Sequence, residues 1–209
     1  VTQPPETVTL GVSDIAAMDG RYQVNFINSL SGFKSANLVG TVDADGNENL
    51  TLVSSAVHIG SNPPTLGIVF RPSIVPRHGY ENIMHTHFFT LNHIGESFFK
   101  AAHQTSARYP KTVSEFEATG LTPEYLNDFP APYVQESQFK LGLEFAEVHH
   151  TQVNPTHIVI AHIRWVHIAK PCIQNNGSID LSLLGTMAIS GLDHYHTVNP
   201  GTKMPYAKA

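Results

Sequence analysis

Cysteine is almost missing from this 209-residue sequence, which contains only Cys172. That excludes an internal disulfide framework and any zinc site built on several thiolates, and a reducing, cytoplasmic setting is expected. Charge is scarce too. Asp, Glu, Lys and Arg make up 14% of the residues against 41% hydrophobic ones, with a net charge of −5. So little surface charge keeps molecules poorly apart and points to an oligomer. The Lys and Arg residues are scattered along the chain, which leaves no basic footprint for nucleic acid. No apolar run approaches the ~20 residues needed to span a bilayer, and the opening VTQPPETVTLGVSD has neither a basic nor an apolar targeting region. Neither a membrane nor a nucleic-acid partner is expected. G-x-G-x-x-G, G-x-x-x-x-G-K-[ST] and H-E-x-x-H are also missing, so a Rossmann dinucleotide site, a P-loop and a zincin lack support.

What is present reads as one domain over 1–209, mainly β with added helices. Residues 1–35, with Pro4 and Pro5 together, read as an extended N-terminal extension. ANLVGTVDADGNENLTLVSSAV has two apolar segments around DADGN, a β-hairpin in which Asp45 and Gly46 supply positive-φ turn residues. SNPP breaks the chain, TLGIVF is a third strand, Gly79 to His85 is one or two helical turns, and HFFTLNHI is a fourth strand. From Gly95 the apolar spacing becomes helical to about Ser106. Thr112 with Glu115, and Ser114 with Glu117, have capping-box spacing before a helix that Gly120 stops. Thr122 before Pro123 reads as the N-cap of another short helix. KLGLEFAEVHH and THIVIAHIRWVHI are long strands, the second apolar on both faces. Residues 175–209 form a C-terminal extension in which SIDLSLLGTMAI is read as helical and GLDHYHTVNPGTKMPYAKA as loop.

Chemistry concentrates in LGIVFRPSIVPRHGYENI. Arg71 and Ser73 follow a strand, while Arg77 and His78 open a helix, where an arginine is unfavourable unless an anion sits nearby. Guanidinium forks, a hydroxyl and free N–H groups together grip phosphate. Ser54 and Ser55 stand before Ala56, whose small side chain lets a planar ligand approach backbone donors; solvated arginines and ordinary polar strand ends are the bland reading of the same pattern. Thirteen histidines invite a metal reading, and Gly79 with His85-x-His87 resembles the opening of the cupin metal motif. The glutamate that motif needs next is replaced by Leu91 and Asn92, so no metal is assigned. His149 and His150 point to opposite faces of a strand. Cys172 stands in a turn or strand end with no base identified beside it.

The segments NLVGTVDADGNENLTLVSSAVHIGSNPPTLGIVFRPS, YENIMHTHFFTLNHI, EFEATGLTP and APYVQESQFKLGLEF occur in an order that resembles the flavin reductase-like, FMN-binding split-barrel family, which includes flavoredoxins. The likeness covers about residues 36–170. It implies a homodimer of Greek-key split barrels, with FMN near the subunit interface. On this chain, Ser54, Ser55, Ala56 and Val57 would meet the ring and ribityl chain, and Arg71, Ser73, Arg77 and His78 the phosphate. His194 and Tyr195 would face the substrate side, and no catalytic residue is assigned. The implied activity is that of a flavin reductase: hydride passes from NAD(P)H to flavin and on to free flavin, oxygen or a redox partner. A non-catalytic, flavoredoxin-like electron carrier is the alternative, and a cupin-like metal enzyme the more distant one.

Overall fold

The computed structural model describes residues 6–73 and 75–208; Pro4 and Pro5 lie outside them. The N-terminal segment is not the extended lead-in expected. It forms helices α1 (Val12–Ala16) and α2 (Gly20–Ser29), then the short strand β1 (Lys34–Ser35). The Asp19 carboxylate accepts from the Tyr22 N–H at 3.0 Å and caps α2. Neither helix buries a residue, so the packing that normally betrays an amphipathic helix is missing from them.

The expected hairpin is present as β2 (Asn37–Val42) and β3 (Glu48–Val53). Its loop is closed by Asp43, whose Oδ1 accepts from the N–H groups of Asp45 and Asn47, both at 2.9 Å. Gly46 alone in that loop has positive φ, at 86°; Asp45 does not share it. The chain bends at Ser54 and Ser55 into β4 (Ala56–Ser61), turns over a cis Asn62–Pro63 peptide, and returns as β5 (Pro64–Phe70). Thus SNPP is a hairpin turn. Then come α3 (His78–Thr86), β6 (Phe88–His93), α4 (Phe99–Gln104), α5 (Glu115–Thr119), β7 (Pro123–Glu124), β8 (Tyr133–Val134), β9 (Phe139–His150), β10 (His157–Ile168), β11 (Met187–Ser190) and β12 (His194–Thr197).

Seven antiparallel strands pair in the order β3-β2-β6-β9-β10-β5-β4. The two edge strands, β3 and β4, are consecutive in the chain and separated only by two serines. A three-residue step spans at most ~10 Å, so the sheet must curl until its edges meet. The result is a split barrel, open between β3 and β4. Val39, Val53, Ile68, Phe89, Leu91, Leu143 and Val159 fill its interior, joined by Ile83 from α3. Leu38 and Leu50 point the other way and pack with Ile94, Phe98 and Ala102, with Phe116 from α5, and with Ile189 from β11. Period-2 alternation therefore buries both faces of β2. Each fully buried side chain of this size contributes about 1.5–3 kcal/mol by leaving water.

Three local expectations are corrected. Thr122 does not cap a helix: its hydroxyl and N–H both bond Glu136, and Pro123–Glu124 pair with Tyr133–Val134. Ser114 stands at the N-cap of α5 without a capping bond. Glu115 instead reaches β3, accepting from Asn49 Nδ2 at 2.9 Å and the Leu50 N–H at 3.0 Å. In the C-terminal extension, Leu181–Leu184 form a single 3-10 turn, and Met187–Ser190 and His194–Thr197 are strands in a sheet of order β1-β11-β12. Residues read as helix and loop become strands because β1, from the far end of the chain, supplies the edge they pair with. No helix among the described residues is long and apolar enough to cross a membrane.

Candidate functional site

Strand β5 ends at Phe70, buried in the barrel, and releases Arg71 to solvent. After the turn, Arg77 occupies the N-cap of α3 and His78 its first position. Gly79 fixes where the helix starts. A Cβ there would lie 3.0 Å from Thr51 Oγ1 and 3.1 Å from Asn49 Oδ1, so the first turn of α3 lies close against β3. The Arg77 N–H donates to Glu81 Oε1 at 3.1 Å. Its side chain runs inward, and Arg77 Nε is enclosed with no hydrogen-bond partner among the described residues.

Glu81 meets the Arg77 backbone, whereas the charges that act on the Arg77 guanidinium share one sign. Burial lowers its pKa, and the guanidinium groups of Arg71 and Arg108 lower it further. Lys34 is depressed by burial and then by Arg71. Its Nζ donates to the carbonyls of Asn28 at 3.1 Å and Gly191 at 3.0 Å, which ties α2 and the β11–β12 turn to the same place. Arg71 and Arg108 thus act on Arg77 as like charges, and Arg71 acts on Lys34 in the same sense. An anion at the start of α3 relieves that repulsion and meets the free N–H groups of the helix end.

The other expected phosphate-side residues are placed differently. Ser73 turns away to pair its hydroxyl with His157 Nε2 at 3.1 Å. His78 stands within electrostatic reach of Glu115, whose carboxyl burial pushes up while hydrogen bonds to Leu50 and Asn49 pull it down. At the split, Ser54 and Ser55 are half-buried in the bend. The Ser55 hydroxyl is committed to the Val69 carbonyl at 2.7 Å, and the Val69 N–H donates to the Ser55 carbonyl. Residues alternate along an antiparallel ladder, so the backbone groups of Ala56 face the open edge. That edge offers the unpaired donors and acceptors of a free strand, beside Val57, which is 48% exposed.

His194 and Tyr195 separate. His194 is exposed and pairs with Asp193 at 2.8 Å. Tyr195 lines a cavity of about 210 Å³ with Phe99, Lys100, His103 and Asp193. Its hydroxyl bonds His103 Nδ1 at 3.1 Å, and burial, then Asp193, pushes its pKa up to about 12. The cupin-like pair is not on one strand face: His85 lies in the last turn of α3, and His87 caps that helix at φ 65°. Lys34 and Arg108 escaped the sequence reading. Each is a lone cation in an unremarkable stretch, and only the tertiary fold brings it within electrostatic reach of Arg71 or Arg77.

Comparison with known proteins agrees with this architecture. A split-barrel protein of flavin reductase type from Shewanella frigidimarina NCIMB 400 is 50% identical, with a TM-score of 0.93 over 96% of this chain and 100% of the other. Nitrilotriacetate monooxygenase component B from Bacillus cereus shares the fold at 17% identity, with a TM-score of 0.82 over 96% of this chain and 100% of its own. So does the flavoredoxin of Desulfovibrio vulgaris (Miyazaki F), at 21% identity and a TM-score of 0.72 over 84% and 92%. The first two reach well into both terminal extensions, which are thus shared parts of the architecture. Residues 30–178 match the family described as flavin reductase like domain, and the chain belongs to it.

Proposed function

We propose that this protein is an FMN-binding oxidoreductase of flavin reductase type, with NAD(P)H as hydride donor and free flavin, oxygen or a redox partner as acceptor. The observation that carries the reading is Arg77 at the N-cap of α3, its Nε enclosed and unpartnered among the described residues, with Arg71 and Arg108 acting on it as like charges and Arg71 acting likewise on Lys34. These residues fit a phosphomonoester: compact, dianionic and rich in acceptors. Arg77 and Arg71 would hold the phosphate, with Lys34 and Arg108 as further counter-charges. The edge backbone at Ala56 suits the polar rim of a flat heteroaromatic ring, and Val57 its apolar face.

Bound FMN would supply the hydride and electron transfer, and the chain's work is to bind, orient and exclude water. Arg77 is suited to orientation because its guanidinium is partly desolvated and its Nε is left without a partner among the described residues, so a phosphate would supply the bond it lacks. Tyr195 remains a protonated phenol at neutral pH and forms a fixed wall with Phe99. A homodimer is part of the proposal, since Tyr22, Leu30 and Phe33 are 58%, 63% and 73% exposed in the single chain. The buried free thiol of Cys172 accords with a reducing, cytoplasmic setting.

The test is anaerobic absorption spectroscopy of the FMN-loaded protein with NADH and with NADPH. Bleaching of the visible flavin bands at a rate that supports turnover is the expected result. Bands that persist with both nucleotides but bleach with dithionite would replace the reductase by an electron carrier of flavoredoxin type.

A further inference from the structure

The hairpin of β9 and β10 brings two histidines together that neither strand would suggest alone. His150 and His157 are directly opposed in the antiparallel register, where Cβ atoms lie about 4.5–5.5 Å apart. Their rings stand at 87° with centroids 4.9 Å apart, and the two Nδ1 atoms are separated by 2.8 Å. One Nδ1 must therefore donate and the other accept, so at least one ring is neutral. The second ring nitrogen of His157 is also engaged, with Nε2 3.1 Å from Ser73 Oγ. Tyr80 stacks on the same ring at 4.4 Å and 9°.

We propose that His150 and His157 form a two-imidazole chelate for a borderline divalent cation such as Zn²⁺, Ni²⁺ or Cu²⁺, bound through both Nδ1 atoms with water completing the coordination. Imidazole nitrogen selects these ions over Mg²⁺ and Ca²⁺, which require oxygen donors. Two nitrogens on a tetrahedral ion at ~2.0–2.1 Å are about 3.3 Å apart, so the rings need to open by only about half an ångström. With Nδ1 on the metal, His157 would donate from Nε2–H to the Ser73 hydroxyl, the outer-shell bond that fixes a ligating tautomer. His150 must carry its proton on Nε2 rather than Nδ1, a change its exposed ring can make through water. No set of three or more His, Cys, Asp or Glu side chains able to hold a metal exists among the described residues, so the site is an open one with two protein ligands. It does not depend on flavin binding, and its failure would leave the flavin reading untouched.

Tag-free protein stripped with chelator should be titrated with Zn²⁺ and with Ni²⁺ by isothermal calorimetry. One ion per chain is expected. His150→Ala and His157→Ala should each abolish that uptake, and Ser73→Ala should weaken it about tenfold. His149→Ala is the control: its ring lies on the opposite strand face and pairs with Glu147, so binding should persist. The Cu²⁺ form should show nitrogen hyperfine structure in its electron paramagnetic resonance spectrum. No saturable uptake by the wild type, or undiminished uptake by the His150→Ala/His157→Ala double variant, would overturn the site and leave the pair an imidazole–imidazole hydrogen bond.

Discussion

Arg77 combines two features that separately cost stability, a cation at a helix N-terminus and an enclosed Nε with no partner among the described residues. An apoprotein should therefore gain from losing it. Arg77→Leu is expected to raise the melting temperature of the flavin-free protein while weakening FMN binding, two shifts of opposite sign read by calorimetry and by flavin fluorescence. A charge-assisted contact of this kind contributes about 1.5–3 kcal/mol, or roughly tenfold to more than a hundredfold in affinity. Lys34→Ala and Arg108→Ala should weaken binding less, because Lys34 also holds the Asn28 and Gly191 carbonyls and Arg108 is exposed. His93 governs a different property. Burial beside Phe139 pushes its pKa down to about 4, below the ordinary 6.5. The folded state therefore resists the proton that the unfolded chain accepts. Its contribution is intact above pH 6.5 and is lost as pH falls from 6.5 towards 4, by up to about 3 kcal/mol. Denaturant titrations at pH 7 and pH 5 should show that loss in the wild type and a reduced one in His93→Gln.

Elements were legible wherever local chemistry decided them. The β2–β3 hairpin is legible in Gly46 and the two apolar segments around DADGN, α3 in the stretch Gly79 to His85 and β6 in HFFTLNHI. Asp43 accepts from the Asn47 side chain and from backbone N–H groups at the turn and meets Lys111 at 3.2 Å, which holds its carboxyl below the usual range. This depressed group stabilises the hairpin above its ordinary pKa near 4 and ceases to do so as pH falls through the range below it. Asp43→Ala should lower the melting temperature at pH 7 by roughly 3–12 °C, taking ~1.5–3 kcal/mol at ~2–4 °C per kcal/mol, and should have a smaller effect at pH 3. Illegible elements are those whose partner is distant. Between β3 and β4 only Ser54 and Ser55 interrupt the apolar residues, too slight a break to show that the chain passes there from one sheet edge to the other. Met187–Ser190 and His194–Thr197 became strands only because β1 pairs with β11. Thr122-Pro123 has helix-start chemistry, yet Glu136 takes both of the Thr122 donors.

At the scale of the whole molecule, order along the chain proved more informative than any single motif. The arginines of the 71–77 loop were visible in the sequence, but their electrostatic coupling to Lys34 and Arg108 was not, since these lie 37 and 31 residues from Arg71 and Arg77. Exposed Tyr22, Leu30 and Phe33 and the low charge fraction point the same way on assembly. Light scattering should give a mass near twice the chain's 22.9 kDa, and Leu30→Asp with Phe33→Asp should lower it towards one chain.

The central claim is that the start of α3 is a phosphate cradle, and it is tested most directly by comparing FMN with riboflavin, which lacks only the phosphate. Equilibrium affinities should be measured by fluorescence quenching for the wild type and for Arg71→Ala/Arg77→Ala. The wild type should prefer FMN by at least about tenfold, one charge-assisted contact, and the double variant should lose that preference with its riboflavin affinity unchanged. A wild type that binds both flavins equally, or a double variant that keeps the preference for FMN, would contradict the account.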